Sequence, residues 1–581
     1  MEYIKDQLTL RGTMIGSIGC IIITAASVYT ALKLGALPWP IVFAAIISLF
    51  FLKAMGKGKV SLNEANVTHT IMSAGAMVAG GLAFTIPAAW MLGYASEVSI
   101  FEMLVIALTG VILGLVCTAL LRRHFIEEAN LEYPIGEAAA QTLIAGNSGG
   151  KTGVKLFGAM GFAGIYTALR DLVGVIPSMF LSNITIPGVS FGIYNSPMLL
   201  AVGFLVGTGA VVVWFVGALV ANFGIIVGGS AAGLWDVTTA QGIVSSLGMG
   251  IMMGAGFGVI FKDIIPKAIK MIKSSSSGEE TNSKQLKAGE KNTNNKKSSF
   301  CKLTAGMFGI AVAAVALLVC FVLGLGIIPT LIVVVLAFVS TAMSAQSVGQ
   351  TGIDPMEIFG LIVLLAVAAA SDIVQVKLFY VAAIVAVACG LAGDVMNDFH
   401  AGYRLGTSPQ AQWIGQAIGS VLGAFVSVAV MVLLLGAYGP DAFGPQSLFV
   451  SAQASVVATF VSGIPSISSL VAGLVLGVVL YFVKFPSMML GLGIYLPFYM
   501  SFSAFLGAVA KLFYDFACKS VERKRHDKSA EKSCENDSAS KAVVSKEQEE
   551  TGLVVASGLL GGESIVGVIA ALIVVILGAV A

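Results

Sequence analysis

Five short polar islands interrupt an otherwise apolar chain, and their residue types decide which chemistry is open to it. The densest is Glu132-Tyr133-Pro134-Ile135-Gly136-Glu137-Ala138, continuing to Gln141 and Thr142. A charge at the centre of a membrane helix costs about 2.5–3.5 kcal/mol on insertion scales, so such residues face a cavity or a partner. Broken, acidic backbone at membrane depth is a common way to build a transport site. Pro134 suits the first turn of a short helix, and Gly136 permits close approach of a second backbone or a ligand. Glu137 and Gln141 lie four apart, on one helical face. With Tyr133 they are candidates for substrate contact, and Glu137 also for ion coupling. The alternative is a surface loop in which Glu132 is merely solvated.

The other four islands carry similar choices. In Asn63-Glu64-Ala65-Asn66-Val67-Thr68-His69, Glu64 and His69 are coupling candidates. A helix start capped by Ser61 or Asn63, with Glu64 in its first turn, is the structural alternative. The run from Ser344 to Glu357 offers Gln346, Asp354 and Glu357 as substrate-binding candidates, with Asp354 also suited to coupling. Asp354-Pro355 followed by Glu357 also fits a helix cap with a capping box. Gly393 to Arg404 reads as a structural cytoplasmic loop between helices, with Arg404 able to pair with Asp394 or Asp398. Tyr495 and Tyr499, around Pro497, suit either an interfacial belt or a cavity wall. Asp236 and Asp372 are further intramembrane acid candidates.

The elements that position these residues are helices. The 581 residues are 57% hydrophobic and 11% charged, and the mean hydropathy is +0.93. Soluble domains carry roughly a quarter charged residues, so a soluble fold is excluded. Apolar runs such as 12–33, 103–121, 198–220, 307–328 and 410–435 recur along the chain, and no period-two alternation is sustained. Sixty-eight glycines suit close helix contact in lipid. The fold class is an all-α polytopic membrane protein with about 14–17 segments, some short or re-entrant, in two pseudo-symmetric halves. The organisation reads as a first membrane block (1–263), a charged linker (264–302), a second block (303–516), a second charged linker (517–551) and a final helix (552–581). Both linkers have the composition of flexible, solvated tethers.

Lys5, Arg11, Lys53, Lys57, Lys59, Arg122 and Arg123 mark cytoplasmic segments and place the N-terminus in the cytoplasm of a cell with this inner or plasma membrane. The first apolar run reads as a span and not as a cleaved signal. The uncharged stretch 182–195 suits an extracytoplasmic cap. A net charge of +2 argues against a nucleic-acid partner. Seven scattered cysteines without a CxxC pattern argue against a metal site. No P-loop is present, so direct ATP drive is not supported, and no cofactor is expected.

Four ordered runs carry a family resemblance. Tyr133-Pro134-Ile135-Gly136-Glu137-Ala138 is similar to a Tyr-Pro-x-Gly motif, and Gly393-Asp394 through Tyr403 to an Asp-x-Lys-Thr-Gly loop, with His400 and Ala401 in place of Lys and Thr. Tyr495-Leu496-Pro497 with Phe505-Leu506-Gly507, and Ala556-Ser557-Gly558 through Glu563, are similar to the penultimate and last segments. Together they resemble the oligopeptide transporter (OPT) superfamily, on its prokaryotic branch, near the yellow stripe-like transporters. The resemblance implies a secondary active importer of short peptides or peptide-like metal chelates, proton-coupled and not an enzyme. A passive channel is one alternative. An intramembrane aspartyl protease using Asp394 and Asp515 is another, although its Gly-x-Gly-Asp pattern is missing. A homo-oligomer is left open.

Overall fold

The computed structural model describes residues 6–529 and 537–580, apart from 36, 38–40, 57–59, 130, 132, 148–151, 182, 260, 263–265, 267–304, 352–353, 446 and 463–464. The first linker and Glu132 therefore fall outside, or almost wholly outside, the described residues. Among those described, ten helices are long and apolar enough to cross a membrane, and six shorter apolar helices accompany them. The long helices alone fall short of the expected segment number, which is reached only when the short ones are included.

The first block opens with α1 (Leu10–Leu34), α2 (Ile41–Met55), α3 (Leu62–Ala83), a short α4 (Pro87–Met91) and α5 (Ile100–Arg122). Thr9 starts α1 by accepting a hydrogen bond from the Gly12 N–H, and Gly35 ends it at φ 64°. That left-handed cap needs glycine. Ser99 and Glu102 form a reciprocal capping box on α5. Next come α6 (Pro134–Asn147), α7 (Thr152–Asp171), α8 (Pro197–Val206), α9 (Thr208–Leu219) and α10 (Val237–Val259). A two-stranded antiparallel hairpin, Met179–Phe180 with Ile193–Tyr194, precedes α8.

The second block holds α11 (Ala305–Leu317), α12 (Ile327–Thr351), α13 (Met356–Ala370), α14 (Gln375–Leu405) and α15 (Pro409–Tyr438). It closes with α16 (Ala452–Ser462), α17 (Ile467–Phe482), α18 (Ser487–Tyr495), α19 (Phe498–Ser529) and α20 (Asp537–Val580). The second charged run was expected to be a tether. Its described parts are instead helical, continuing α19 to Ser529 and opening α20 at Asp537.

Two helices form the middle of the protein. α3 and α14 are buried along the whole of their apolar spans and pack on each other, with α1 and α15 against α3 and α5, α12 and α13 against α14. Lipid tails are as apolar as leucine, so these contacts rest on close packing and on polar bonds between helices. Glycines set the spacing. A Cβ on Gly423 of α15 would stand 2.2 Å from the Gly75 Cα of α3. The same device joins α10 to α17. There Gly250 and Gly254 face Gly473 and Gly477, and a Cβ on Gly254 would stand 2.2 Å from the Leu474 carbonyl oxygen.

One expected loop is not a loop. Gly393 to Arg404 lies inside α14, which runs unbroken to a Gly406 cap at φ 74°. Asp394 and Asp398 are fully buried. Its turn-forming residues are tolerated mid-helix because α3, α6 and α15 supply partners for their side chains.

Candidate functional site

Three helices each present a pair of polar residues four apart to one buried point. α3 supplies His69 and Ser73, α14 supplies Asp394 and Asp398, and α15 supplies Gln412 and Gln416. The i, i+4 spacing aligns each pair along a single helical face. All six side chains are at most 1% exposed.

The bonds are specific. Gln412 Nε2 donates to the Asp398 carbonyl at 2.6 Å, and Gln416 Nε2 donates to the Asp398 carboxylate. Ser73 Oγ lies 3.3 Å from Asp398 Oδ2 and 3.4 Å from Asp394 Oδ2. A hydroxyl has one proton, so it serves one carboxylate at a time. His69 Nδ1 stands 3.0 Å from the Asn66 carbonyl oxygen, an acceptor, which fixes that nitrogen as a donor. Its Nε2 then faces Asp398 Oδ1 at 3.0 Å, off the line of a well-aligned hydrogen bond. The contact is attractive only with a proton on one of the two atoms. The imidazole and the carboxylate thus meet where both side chains are fully buried. Asp394 Oδ1, Gln416 Oε1 and Asn66 Oδ1 remain buried without a partner, so the site retains unused acceptors.

Glu137 belongs to a second, more open cluster. α6 starts at Pro134, as its sequence predicts. Tyr133, at φ 40°, bonds by its N–H to the Gly349 carbonyl and by its hydroxyl to that of Ala345. Those bonds join the Tyr133 island to the one around Gln346. Gly136 donates its N–H to Asn397 Oδ1 at 3.1 Å, and a Cβ there would stand 2.3 Å from the Asn397 carbonyl oxygen. The close backbone approach expected of Gly136 is thus made to α14. Glu137, with its side chain 29% exposed, meets Arg404 Nε at 2.9 Å and His400 Nε2 at 3.3 Å. Gln141 also donates to it at 3.2 Å. Arg404 thus pairs with Glu137 and not with Asp394 or Asp398.

The remaining candidates separate. Asp354 does not cap its helix. α13 begins after Pro355 without a side-chain cap, and Asp354 Oδ1 accepts from Ser344 Oγ at 2.6 Å while Oδ2 has no partner. Glu357 and Gln346 are buried nearby in sequence, on α13 and α12. Glu64 forms a two-point ion pair with Arg11, both contacts 2.6 Å, and accepts from Thr9 at 2.6 Å. It clamps α1 to α3, away from the His69 partner. Ser61 makes no cap bond. Asp236 is an exposed helix cap that accepts from Thr239 and the Thr238 N–H. The Thr239 hydroxyl and neighbouring N–H groups hold its carboxyl below the ordinary range. Asp372 is exposed between α13 and α14. Both lie between helices, outside the apolar spans. Asp394 meets Asp398 of its own helix through Ser73, and that arrangement is not the proposed dyad with Asp515. Tyr495 is buried beside Ser455 without a well-formed bond, and the Tyr499 ring lies 6.0 Å from Tyr194.

The sequence reading missed Ser73, Gln412 and Gln416, and also Lys33, Arg170 and Glu563. Arg170 and Glu563 form a fully buried pair at 3.0 Å. Two glutamines four apart at the head of an apolar run, and a lone acid in the last apolar run, were the available signals.

A family model described as "OPT oligopeptide transporter protein" matches residues 7–574. A protein of Haemophilus influenzae named "Putative oligopeptide transporter" is 25% identical over 617 aligned positions, which cover 94% of this chain and 92% of that protein.

Proposed function

The chain belongs to the oligopeptide transporter family, and from that premise we propose that it is a secondary active transporter importing short peptides or peptide-like metal chelates, with protons as the coupling ion. The observation that carries the coupling is the His69–Asp398 contact, an imidazole and a carboxylate 3.0 Å apart with both side chains fully buried. An ionisable residue within a membrane segment is retained at a cost and is a functional candidate by default. Among the coupling candidates, His69 is favoured over Glu64, which is neutralised by Arg11, and over Glu137, which sits in a half-open ion-pair cluster.

Asp354, with one carboxylate oxygen unpartnered, is the candidate for the substrate amine, with Glu357 a turn away in sequence. Tyr133 and Gly136 anchor α6 against α12 and α14, so Glu137, Gln141, His400 and Arg404 form a gate-like cluster at one end. Arg11, Arg122 and Arg404 gather at that end, which supports placing it, with the N-terminus, in the cytoplasm and the protein in the cell membrane.

Uptake into proteoliposomes under an imposed proton gradient tests the reading. The Asp398→Asn and His69→Gln variants are expected to lose gradient-driven accumulation while retaining exchange of external for internal peptide. Wild-type accumulation in both variants, or accumulation driven by sodium alone, would overturn the coupling.

A further inference from the structure

A second buried charged cluster lies at the other end of the bundle. α1 runs from Arg11 to Lys33, and at 1.5 Å per residue those cations stand about 33 Å apart, close to the thickness of a bilayer core. Lys33 is only 3% exposed. Its ammonium lies 5.0 Å from the Tyr194 ring centroid and 5.8 Å from that of Phe449. Tyr29 precedes it by one helical turn. The Arg170 guanidinium faces the same Tyr194 ring at 5.3 Å.

The carboxylates of this region are already committed. Glu563 takes Arg170 at 3.0 Å, both its oxygens accept from Ser196 Oγ, and the Met198 N–H donates to it at 2.8 Å. Asp171 takes the Arg170 Nε and Nη2 atoms at 2.6 and 2.7 Å. Among the described residues, no carboxylate comes within 4.0 Å of the Lys33 ammonium. What faces it is aromatic surface and the Tyr194 phenol, together with the partial negative charge of its own helix end. These groups, with Glu563 farther off, surround the ammonium in place of a direct carboxylate partner. Tyr194 and Tyr499 are only partly buried, whereas Lys33 is almost wholly enclosed, so a ligand would reach the ammonium past these two rings.

We propose that Lys33, walled by Tyr29, Tyr194 and Tyr499, is the site that receives a carboxylate of the peptide substrate at the face opposite Arg404. The ammonium supplies the charge, the phenols supply hydrogen bonds to the second oxygen, and the rings supply flat walls for the peptide. Arg170, held by two acids, is the scaffold that fixes Tyr194. The inference rests on the reading of the chain as a peptide importer.

The test compares uptake of tri-alanine, tri-alanine amide, and an amidated tripeptide carrying one glutamate. Wild type is expected to prefer tri-alanine over its amide, and restoration of uptake by the glutamate would show that any carboxylate serves. In Lys33→Met the KM for tri-alanine is expected to rise roughly tenfold or more, with that for the amide unchanged. A purely structural lysine would lower thermal stability and leave the preference intact, and that result overturns the proposal. Equal use of both peptides by wild type also overturns it. Should Lys33→Met not fold, Tyr194→Phe keeps the ring and is expected to weaken the preference, while an unchanged preference counts against the site. If wild type takes up none of these peptides, the peptide arm of the importer reading fails and the proposal with it.

Discussion

Glu137 divides its two oxygens among Gln141, His400 and Arg404 at a partly exposed position. Ion pairs of this kind contribute about 0–1 kcal/mol, so Glu137→Gln is expected to lower the unfolding midpoint slightly and to leave most proton-driven uptake in place. Loss of uptake comparable to that of Asp398→Asn would move the coupling role to Glu137. The contrast between these two acids was only half legible in the sequence. Glu137 stood out because Gly136 and three alanines flank it. Asp398 was hidden because its neighbours Gly393, Asn397, His400 and Gly402 are turn-forming types, and nothing local reveals that Gln416 and Ser73 reach it from other helices. The partners of a buried acid come from residues far along the chain, and local pattern cannot supply them.

At the level of helices, the start of α6 was readable and its docking surface was not. Pro134 marks the first turn in both sequence and structure, but the Asn397 carbonyl against Gly136 depends on the path of α14. Gly136→Ala is expected to destabilise the protein by about 1–3 kcal/mol through overpacking against a backbone that cannot retreat. Thermal unfolding in detergent would measure it, and an unchanged midpoint would mean that α6 shifts freely. Gly75→Val is expected to be worse, because α3 and α15 touch backbone to backbone at Gly423. The capping box read at Asp354 and Glu357 failed for a related reason. Ser344 of α12 takes Asp354 away from its own helix, so a tertiary bond overrides a local motif.

Across the whole molecule, Glu563 ties the last helix to the first block, since its partners Arg170, Ser196 and Met198 lie on or beside α7 and α8. Glu563→Gln removes one of the two acids that hold the buried Arg170 guanidinium, leaving Asp171, and is expected to cost about 1.5–3 kcal/mol through the lost charge-assisted bond. The double variant Arg170→Met with Glu563→Met is expected to unfold closer to wild type than either single change to Met, because no unpaired charge then stays fully buried and the partly exposed Asp171 is left to solvent. Thermal melting of Arg170→Met, Glu563→Met and the double variant checks this, and additive losses would deny the pairing. The number of apolar runs and the all-helical class were legible from composition, because lipid imposes them on any chain. The four-glycine seam between α10 and α17 bears on motion. At these four glycines no side chain stands between the two backbones, so nothing there could refill a gap if the helices part, and any rocking that alternates access is expected to carry them together as one blade. The bending in a transport cycle is then confined to joints elsewhere, and a cysteine cross-link across this seam is expected to leave turnover intact.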